Sequence, residues 1–424
     1  EAQEDLNITL SEQQKEAVRM VFANPISIIT GGPGTGKTTV LKIILYIYQK
    51  KCGNEVKLMA PTGRAARRMA ESTGSGDATT MHMALGLFGD GDYEVFIDEL
   101  SADFINVDEV SMVDMHLAYE FFYKVKAGAR VLLVGDVHQL PSVGAGDVFR
   151  HLILCGKIPV TVLKLVYRQG KDSNIPINAQ LINEGKTNLQ WGDDFQMVEC
   201  SGADAAAQIV KNIYLKEIQM YGMEQVQILS PYKVRSAAGV LELNRSLQDE
   251  VNPPVSGKRE LHLGGEIFRE GDRILQNKNT EFASNGDLGT LVQIAEDEDN
   301  NPLVQIVFTD GRRVKYEAEQ VEMIEHANAI TIHKSQGSEC QVVIIPWLKA
   351  FYPMLKRNIF YTGITRAKQR VYIVGEWKAV CQAIHTDDTG TRKTMLAVKI
   401  QQYYERYRRQ ENRRISATIC NRAV

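Results

Sequence analysis

The sequence predicts an α/β protein of two parallel-sheet domains, each interrupted by a small β insertion. Three observations carry this. Over residues 1–165, short apolar runs alternate with helical stretches, the rhythm of βαβ units and hence of a parallel sheet. The same rhythm returns after Val166 and persists to Trp377. Between 256 and 325 it gives way to short strands at even spacing, the pattern of a small β-barrel. The first domain is therefore expected over 1–165 and the second over 166–424; a chain of 424 residues is long enough for two such cores.

In the first domain, residues 26–30, 55–60, 104–107 and 131–134 are apolar runs too short for helices and suited to strands buried on both faces. Residues 37–50, 63–72 and 114–126 read as the helices between them. The rhythm breaks at Gly89-Asp90-Gly91-Asp92, a turn signal followed by a strand-like stretch at 93–97, so a β-hairpin is expected over 87–102. In the second domain, 226–229, 342–345 and 371–374 are the clearest strands. The barrel strands are 271–276, 289–294, 303–308 and 313–316, parted by Asn285-Gly286-Asp287, the acidic loop 296–301 and Asp310-Gly311. Residues 401–424 hold six Arg against two Glu; they read as a basic, solvated, frayed end, with contact to nucleic acid as the alternative.

Composition narrows the function. With 49 Lys+Arg against 52 Asp+Glu the net charge is −3, which excludes a polycation but not a local basic groove. No apolar run approaches the ~18 residues of a membrane span, and the stretch 40–48 is broken by Lys42. The acidic, polar first residues are no signal peptide; the absence of an initiating Met is expected of a fragment of something longer. Six scattered cysteines without a Cys-x-x-Cys pair point to free thiols in a reducing cytoplasm, and the histidines show no metal-ligand spacing.

Gly31-Gly32-Pro33-Gly34-Thr35-Gly36-Lys37-Thr38 satisfies G-x-x-x-x-G-K-[ST], between an expected strand and an expected helix as the motif requires. Glycines let backbone N–H groups converge on phosphate oxygens, and the helix N-terminus favours negative charge. Lys37 is expected on the β/γ-phosphates and Thr38 on Mg²⁺. Asp108 and Glu109 end the apolar run 104–107. Asp108 is expected to complete the Mg²⁺ shell with Thr38. Glu109 is placed to polarise the attacking water, work that needs one carboxylate within reach. A second acidic pair, Asp98-Glu99, lacks a continuous buried strand before it and is set aside.

With these motifs in place the chain resembles superfamily 1 helicases, most closely the RecD-like helicases related to the exodeoxyribonuclease V alpha subunit. Residues 10–18 (LSEQQKEAV) resemble the adenine-reading glutamine motif, whose spacing selects Gln14 over Gln13. Residues 60–66 (APTGRAA) and 80–82 (TMH) resemble single-strand-contacting segments. Residues 107–114 resemble the magnesium motif, with Val110 where Ala is usual; 135–143 resemble the coupling motif, with His138 where an acidic residue is usual. Tyr167-Arg168-Gln169 resembles a segment carrying an arginine finger, and 244–253 a RecD-like stretch after Ser230-Pro231. Residues 331–339 and 361–368 resemble the last two helicase motifs, with Gly363 where Ala is common. The motifs run in family order from residue 10 to about 375.

The resemblance implies two RecA-like P-loop NTPase domains, with a wedge hairpin in the first and an SH3-like barrel in the second. It implies ATP held by Gln14, Gly32, Pro33, Gly34, Thr35, Gly36, Lys37, Thr38, Thr39, Tyr167, Gly337 and Glu339, the last at the nucleotide sugar. Arg168 and Arg366 become arginine fingers and Gln139 the γ-phosphate sensor, so hydrolysis requires the domains to close. Single-stranded DNA falls to Pro61, Thr62, Arg64, Thr80, His82, Thr331 and His333. Arg64 supplies positive charge for backbone phosphates; Arg67 and Arg68 are expected on a solvated helix face, and core packing is the alternative for both histidines. The implied activity is ATP-driven unwinding with 5′→3′ translocation on DNA, by a monomer of a bacterial or phage cytoplasm, alongside other recombination or repair proteins. The alternatives are a translocase, an RNA helicase, or the motor subunit of a helicase–nuclease complex.

Overall fold

A computed structural model describes the chain except residues 54, 75, 77, 88–96, 165–172, 281, 298–300, 389, 393 and 423–424. Six parallel strands form the first sheet: β1 (Ile26–Gly31), β2 (Val56–Ala60), β3 (Ala78–Thr80), β4 (Phe104–Val107), β5 (Arg130–Gly135) and β6 (Val160–Leu163), in the order β3-β2-β4-β5-β1-β6. Successive residues serve opposite faces, as the pleat demands. Ile28, Met59, Ile105 and Leu133 pack into one core layer, and Ile29, Leu58, Phe104 and Leu132 into the other. Both layers are covered by helices, which is why the strands read as continuous apolar runs.

The helices start where the sequence supplies caps. Thr62 Oγ1 accepts from Ala65 N at 3.3 Å at the start of Gly63–Thr73, which ends at Gly74 in the left-handed region. Asp114 Oδ1 accepts from Leu117 N at 2.9 Å and opens Met115–Lys124. The expected hairpin at 87–102 lies mostly outside the described residues. Asp98 and Glu99 are exposed in irregular backbone, so that pair ends no buried strand.

In the second domain the helix Asn174–Asn183, whose Ile175, Ala179 and Ile182 join the domain's core, precedes β7 (Phe195–Glu199) and β8 (Val226–Ser230). The chain then leaves for the insertion: helix Val240–Val251, the hairpin β9 (Glu260–Leu263) and β10 (Glu266–Arg269), then β11 (Arg273–Gln276), β12 (Leu288–Glu296), β13 (Pro302–Phe308), β14 (Arg313–Tyr316) and β15 (Ile324–His326). The last five form an antiparallel sheet, β14-β13-β12-β11-β15, around Ile274, Leu291, Val304 and Ile306. Gly289 is required in β12: a Cβ there would stand 2.8 Å from the Val307 carbonyl. The chain returns through β16 (Ala329–Thr331), β17 (Cys340–Trp347) and β18 (Ala367–Gly375), completing the parallel sheet β16-β8-β17-β18-β7.

The last segment departs from expectation only in part. Residues Leu396–Arg422 are helical; residues 402–410 are exposed, as expected of a solvated segment, while the start of this helix docks on the first domain. Leu396 and Ile400, one turn apart, pack against its core, and Gln401 donates to the Cys155 carbonyl at 3.0 Å. Arg67 and Arg68 are likewise not on a solvated face. Arg67 pairs with Asp287 and Asp310 of the barrel, and Arg68 with Glu339 beside β17. Both bridge the two domains.

Candidate active site and nucleic-acid groove

The carboxyl ends of β1, β4 and β5 converge on the second sheet, the edge where parallel sheets place ligands. After β1 the loop turns through Gly34 (φ 75°) and Gly36 (φ 83°), conformations that only glycine adopts freely. Gly31 is equally constrained, since a Cβ would lie 2.7 Å from the Leu163 carbonyl. Lys37 Nζ donates to the carbonyls of Gly31 (2.6 Å) and Gly32 (3.0 Å), and Thr35 Oγ1 to Gly32 O at 2.8 Å, so the loop is wound around its own lysine.

Beyond this loop opens a cavity of about 310 Å³. Its walls include Pro33, Gly34, Gly36, Lys37, Thr38 and Thr39 of the loop, then Asp108, Glu109 and Gln139 of the first domain, and Glu339 and Arg366 of the second. Most of the expected catalytic residues therefore meet in one space. Arg168 and Tyr167 lie outside the described residues. Four expected ATP residues stand elsewhere: Thr35, buried with its hydroxyl on Gly32 O, and Gln14, Gly32 and Gly337. Gln14 is buried beneath the loop, accepting from Ser11 N (3.0 Å) and donating to Thr35 O (3.4 Å). Gly32 abuts Tyr361, whose hydroxyl would lie 3.1 Å from a Cβ there, and Gly337 faces Thr62 and Ala65.

Electrostatics in the cavity is uneven. Burial, aided by the adjacent Glu109 charge, pushes the Asp108 carboxyl up to about 6. A cation beside it would relieve that cost. With the Thr38 hydroxyl on the same cavity wall, the donors are the hard oxygens that suit Mg²⁺. Glu109 is held at φ 52°, ψ 40°, a left-handed conformation that burdens a residue with a Cβ. Arg366 is buried, and the hydrogen bonds holding its guanidinium go to neutral oxygens: Thr362 O (3.1 Å), Ser338 O (3.2 Å) and Thr365 Oγ1 (3.4 Å). Gln139 is buried with its Nε2 on Asp136 (3.4 Å), while its Oε1 has no hydrogen-bond partner.

Sequence reasoning assigned no role to the contacts that carry Gln139 between domains. Tyr361 donates to Asp136 Oδ2 at 2.8 Å, Leu140 N to Thr362 Oγ1 at 3.0 Å, and Gln336 Nε2 to Leu140 O at 3.0 Å. All these residues stand inside or beside the motif segments, but their partners are about 200 positions away, which no local pattern reveals.

The expected strand contacts fall into two further cavities. One, of about 270 Å³, is lined by Pro61, Thr62 and His82 with Ser142, Val143 and Gly144. The other, of about 260 Å³, contains His333, Lys356 and the same Ser142 and Val143. Thr80 and Thr331 act behind them in matching fashion. Thr80 Oγ1 at the end of β3 accepts from Met83 N (3.2 Å) and sets the turn of His82; Thr331 Oγ1 at the end of β16 accepts from Lys334 N (3.3 Å) and sets that of His333. Burial holds both imidazoles below their ordinary pKa. Arg64 lies apart. Its Nη1 is buried without a partner, and burial plus the like charge of Arg273 pushes its pKa down to about 10.

Two RecA-like domains closing on one phosphate-loop cavity define a two-domain P-loop NTPase. Residues 9–203 match the family described as an AAA domain, 243–308 the ATP-dependent RecD-like DNA helicase SH3 domain, and 326–374 the UvrD-like helicase C-terminal domain. Taken together, these matches make the chain similar to the RecD-like helicases of superfamily 1. It is 35% identical over 370 residues to the ATP-dependent RecD2 DNA helicase of Deinococcus radiodurans, covering 87% of this chain and 50% of that one. The chain thus spans half the length of that relative. It is 28% identical over 433 residues to the RecBCD enzyme subunit RecD of Mycolicibacterium smegmatis, covering 91% and 75%. The Pif1 helicase of Candida albicans shares the fold, with a TM-score of 0.55 at 18% identity over 94% of this chain and 100% of that structure.

Proposed function

We propose that this chain is an ATP-driven motor that translocates 5′→3′ on single-stranded DNA and unwinds duplex ahead of it. The observation that supports this most is the composition of the 310 Å³ cavity, which draws Lys37, Thr38, Asp108, Glu109 and Gln139 from one domain and Arg366 from the other. Phosphoryl transfer is largely positioning and charge stabilisation, so a site split between domains ties hydrolysis to closure of the cleft.

In this reading Lys37 and Arg366 share the charge that develops on the γ-phosphate, joined by Arg168. Glu109 takes the proton of the attacking water as its oxygen bonds to phosphorus and the bond to the ADP oxygen breaks. Thr38 and Asp108 hold Mg²⁺, which when bound neutralises phosphate charge. Gln139, which borders the cavity and whose buried Oε1 has no hydrogen-bond partner, reports the γ-phosphate to the Pro141–Val143 turn, which borders both strand cavities. The strand runs past Pro61, Thr62 and His82 to His333. The expected hairpin at 87–102 supplies the wedge. Polarity rests on the resemblance to RecD-like enzymes, as do a monomeric state, a bacterial or phage cytoplasm and repair or recombination partners.

The test is ATP hydrolysis with and without oligonucleotide, then unwinding of duplexes carrying a 5′ or a 3′ single-stranded tail. Stimulation by DNA and unwinding of the 5′-tailed substrate are expected. Exclusive unwinding of the 3′-tailed substrate would overturn the polarity. Stimulation by RNA alone would favour an RNA motor.

A further inference from the structure

Between Asp387 and Arg392 the chain passes from one domain to the other. On the second-domain side Asp387 pairs with Arg357 and Asp388 with Lys356, at 2.8 and 2.7 Å. On the first-domain side Arg392 Nη1 donates to three carbonyls of one loop: Ser142 (2.7 Å), Gly144 (3.0 Å) and Gly146 (2.8 Å). Leu396, Ile400 and Gln401 then continue the attachment. The four steps from Asp388 to Arg392 reach at most about 14 Å when extended, so this crossing limits how far the domains separate at its edge of the cleft.

The loop it grips is itself tightly set. Ser142 Oγ donates to Gly144 O (3.2 Å) and Gly146 O (3.5 Å). A Cβ on Gly144 would come 2.1 Å from Asp114 Oδ2, and Gly146 sits at φ 95°. The carbonyls turn inward onto the guanidinium, while Val143 stands 88% exposed. An aliphatic side chain raised on a braced loop between two grooves is placed for contact with a ligand rather than for packing. Ser142 follows Gln139, which borders the nucleotide cavity, by three positions.

We propose that Arg392 is a positioning residue for coupling: it fastens the Ser142–Gly146 loop to the crossing from the second domain, so that closing the nucleotide cleft moves this loop along the single strand. Resting on the motor reading above, the assignment has Arg392 act through three carbonyl oxygens. It also borders the cavity of His333, so single-strand affinity is measured beside coupling, and a loss of coupling explained by an equal loss of strand affinity overturns the positioning role. Nη1 serves its three acceptors with two N–H bonds, one of them shared, whereas a lysine ammonium offers three, so Arg392→Lys is the conservative variant and Arg392→Ala the disruptive one.

The experiment measures, for both variants and the unmodified chain, the melting temperature, the single-strand affinity, the DNA-free ATPase, the DNA-stimulated ATPase and the ATP consumed per base pair unwound. Arg392→Ala is expected to melt with the unmodified protein and keep its DNA-free ATPase, yet to consume roughly 2- to 30-fold more ATP per base pair; Arg392→Lys restores most of the coupling. Wild-type coupling in Arg392→Ala overturns the proposal. So does a joint fall of melting temperature and every activity without rescue by lysine, which marks a merely structural role. An unmodified chain without DNA-stimulated hydrolysis overturns the motor reading itself, and this assignment with it.

Discussion

Tyr361 of the second domain donates its hydroxyl to the buried Asp136 carboxylate of the first at 2.8 Å, directly behind the phosphate loop. The same carboxylate accepts from His138 N at 3.0 Å and Gln139 Nε2 at 3.4 Å. One acidic side chain thereby ties the phosphate sensor to the opposite domain. Removing the hydroxyl leaves Asp136 short of a donor, a loss worth about 1–3 kcal/mol for a buried acceptor. Tyr361→Phe is expected to lower kcat for ATP about tenfold or more with KM little changed. A mutant whose kcat matches the wild type would show that this bond does not take part in closure.

Lys37→Ala is expected to reduce ATP hydrolysis by on the order of 10²–10³-fold or more, the usual effect of removing one stabiliser of transition-state charge. Single-strand binding should survive, because Pro61, Thr62 and His82 line a different cavity. Steady-state phosphate release and fluorescence anisotropy of a labelled oligonucleotide separate the two; equal loss of both would contradict the division of labour.

Arg366→Ala is expected to cost ~10³-fold in hydrolysis, the lower range for arginine fingers, while a fluorescent ATP analogue still binds. The neutral partners of this guanidinium leave its charge available to the cavity. Arg168→Ala should behave alike. Normal turnover in either would make that arginine structural.

The barrel's grip on the first domain centres on Asp287, which is 2% exposed and pairs with both Arg67 and Arg312. Asp287→Ala leaves Arg67 and Arg312 with Asp310 as their remaining carboxylate, and because the two arginines are 31% and 36% exposed it should destabilise by about 1–3 kcal/mol. Arg67→Ala leaves Arg312 in place, so its cost should be smaller. A double-mutant cycle by chemical denaturation is expected to give a coupling energy of about 1–3 kcal/mol; additivity would mean the bridge does not hold the domains.

Burial holds His82 and His333 below the ordinary histidine pKa. The unfolded chain therefore takes up their protons first as pH falls. The stability gained by keeping them neutral is full above about pH 6.5 and is lost as pH drops through the folded values. In the proposed motor, being neutral at pH 7.5, they contact the strand without releasing counterions. His82→Gln and His333→Gln should weaken single-strand binding yet leave the slope of log Kd against log salt unchanged. A slope smaller by about one per substitution would reveal an imidazolium on a phosphate.

Strands buried on both faces announce themselves: 104–107 and 131–134 coincide with β4 and the heart of β5 because apolar residues dominate both, Asn106 being the one polar exception. The half-buried edge strand β3 and the outer β7, with Gln196 and Glu199, lack that signature and went unforeseen. The loop that walls the candidate nucleotide cavity was legible for a different reason, since its glycines, lysine and hydroxyl fall within eight consecutive positions. Interdomain pairing has no such local mark. Arg67 and Asp287 are 220 positions apart, and an arginine bound to a distant carboxylate looks in sequence like one bathed in solvent. The docked start of the helix Leu396–Arg422 was missed likewise: only Leu396 and Ile400 betray a seat, just before a stretch whose arginines dominate the reading.

The left-handed backbone at Glu109 sets the thermodynamic and chemical interests of this chain against each other. Glycine at that position would relax a conformation that costs a residue with a Cβ roughly 1–2 kcal/mol. Any scheme that chose residues by backbone comfort alone would replace Glu109 early. It would return a sturdier protein lacking the carboxylate assigned to the attacking water, so for this molecule a gain in heat resistance at position 109 is itself a symptom of lost turnover.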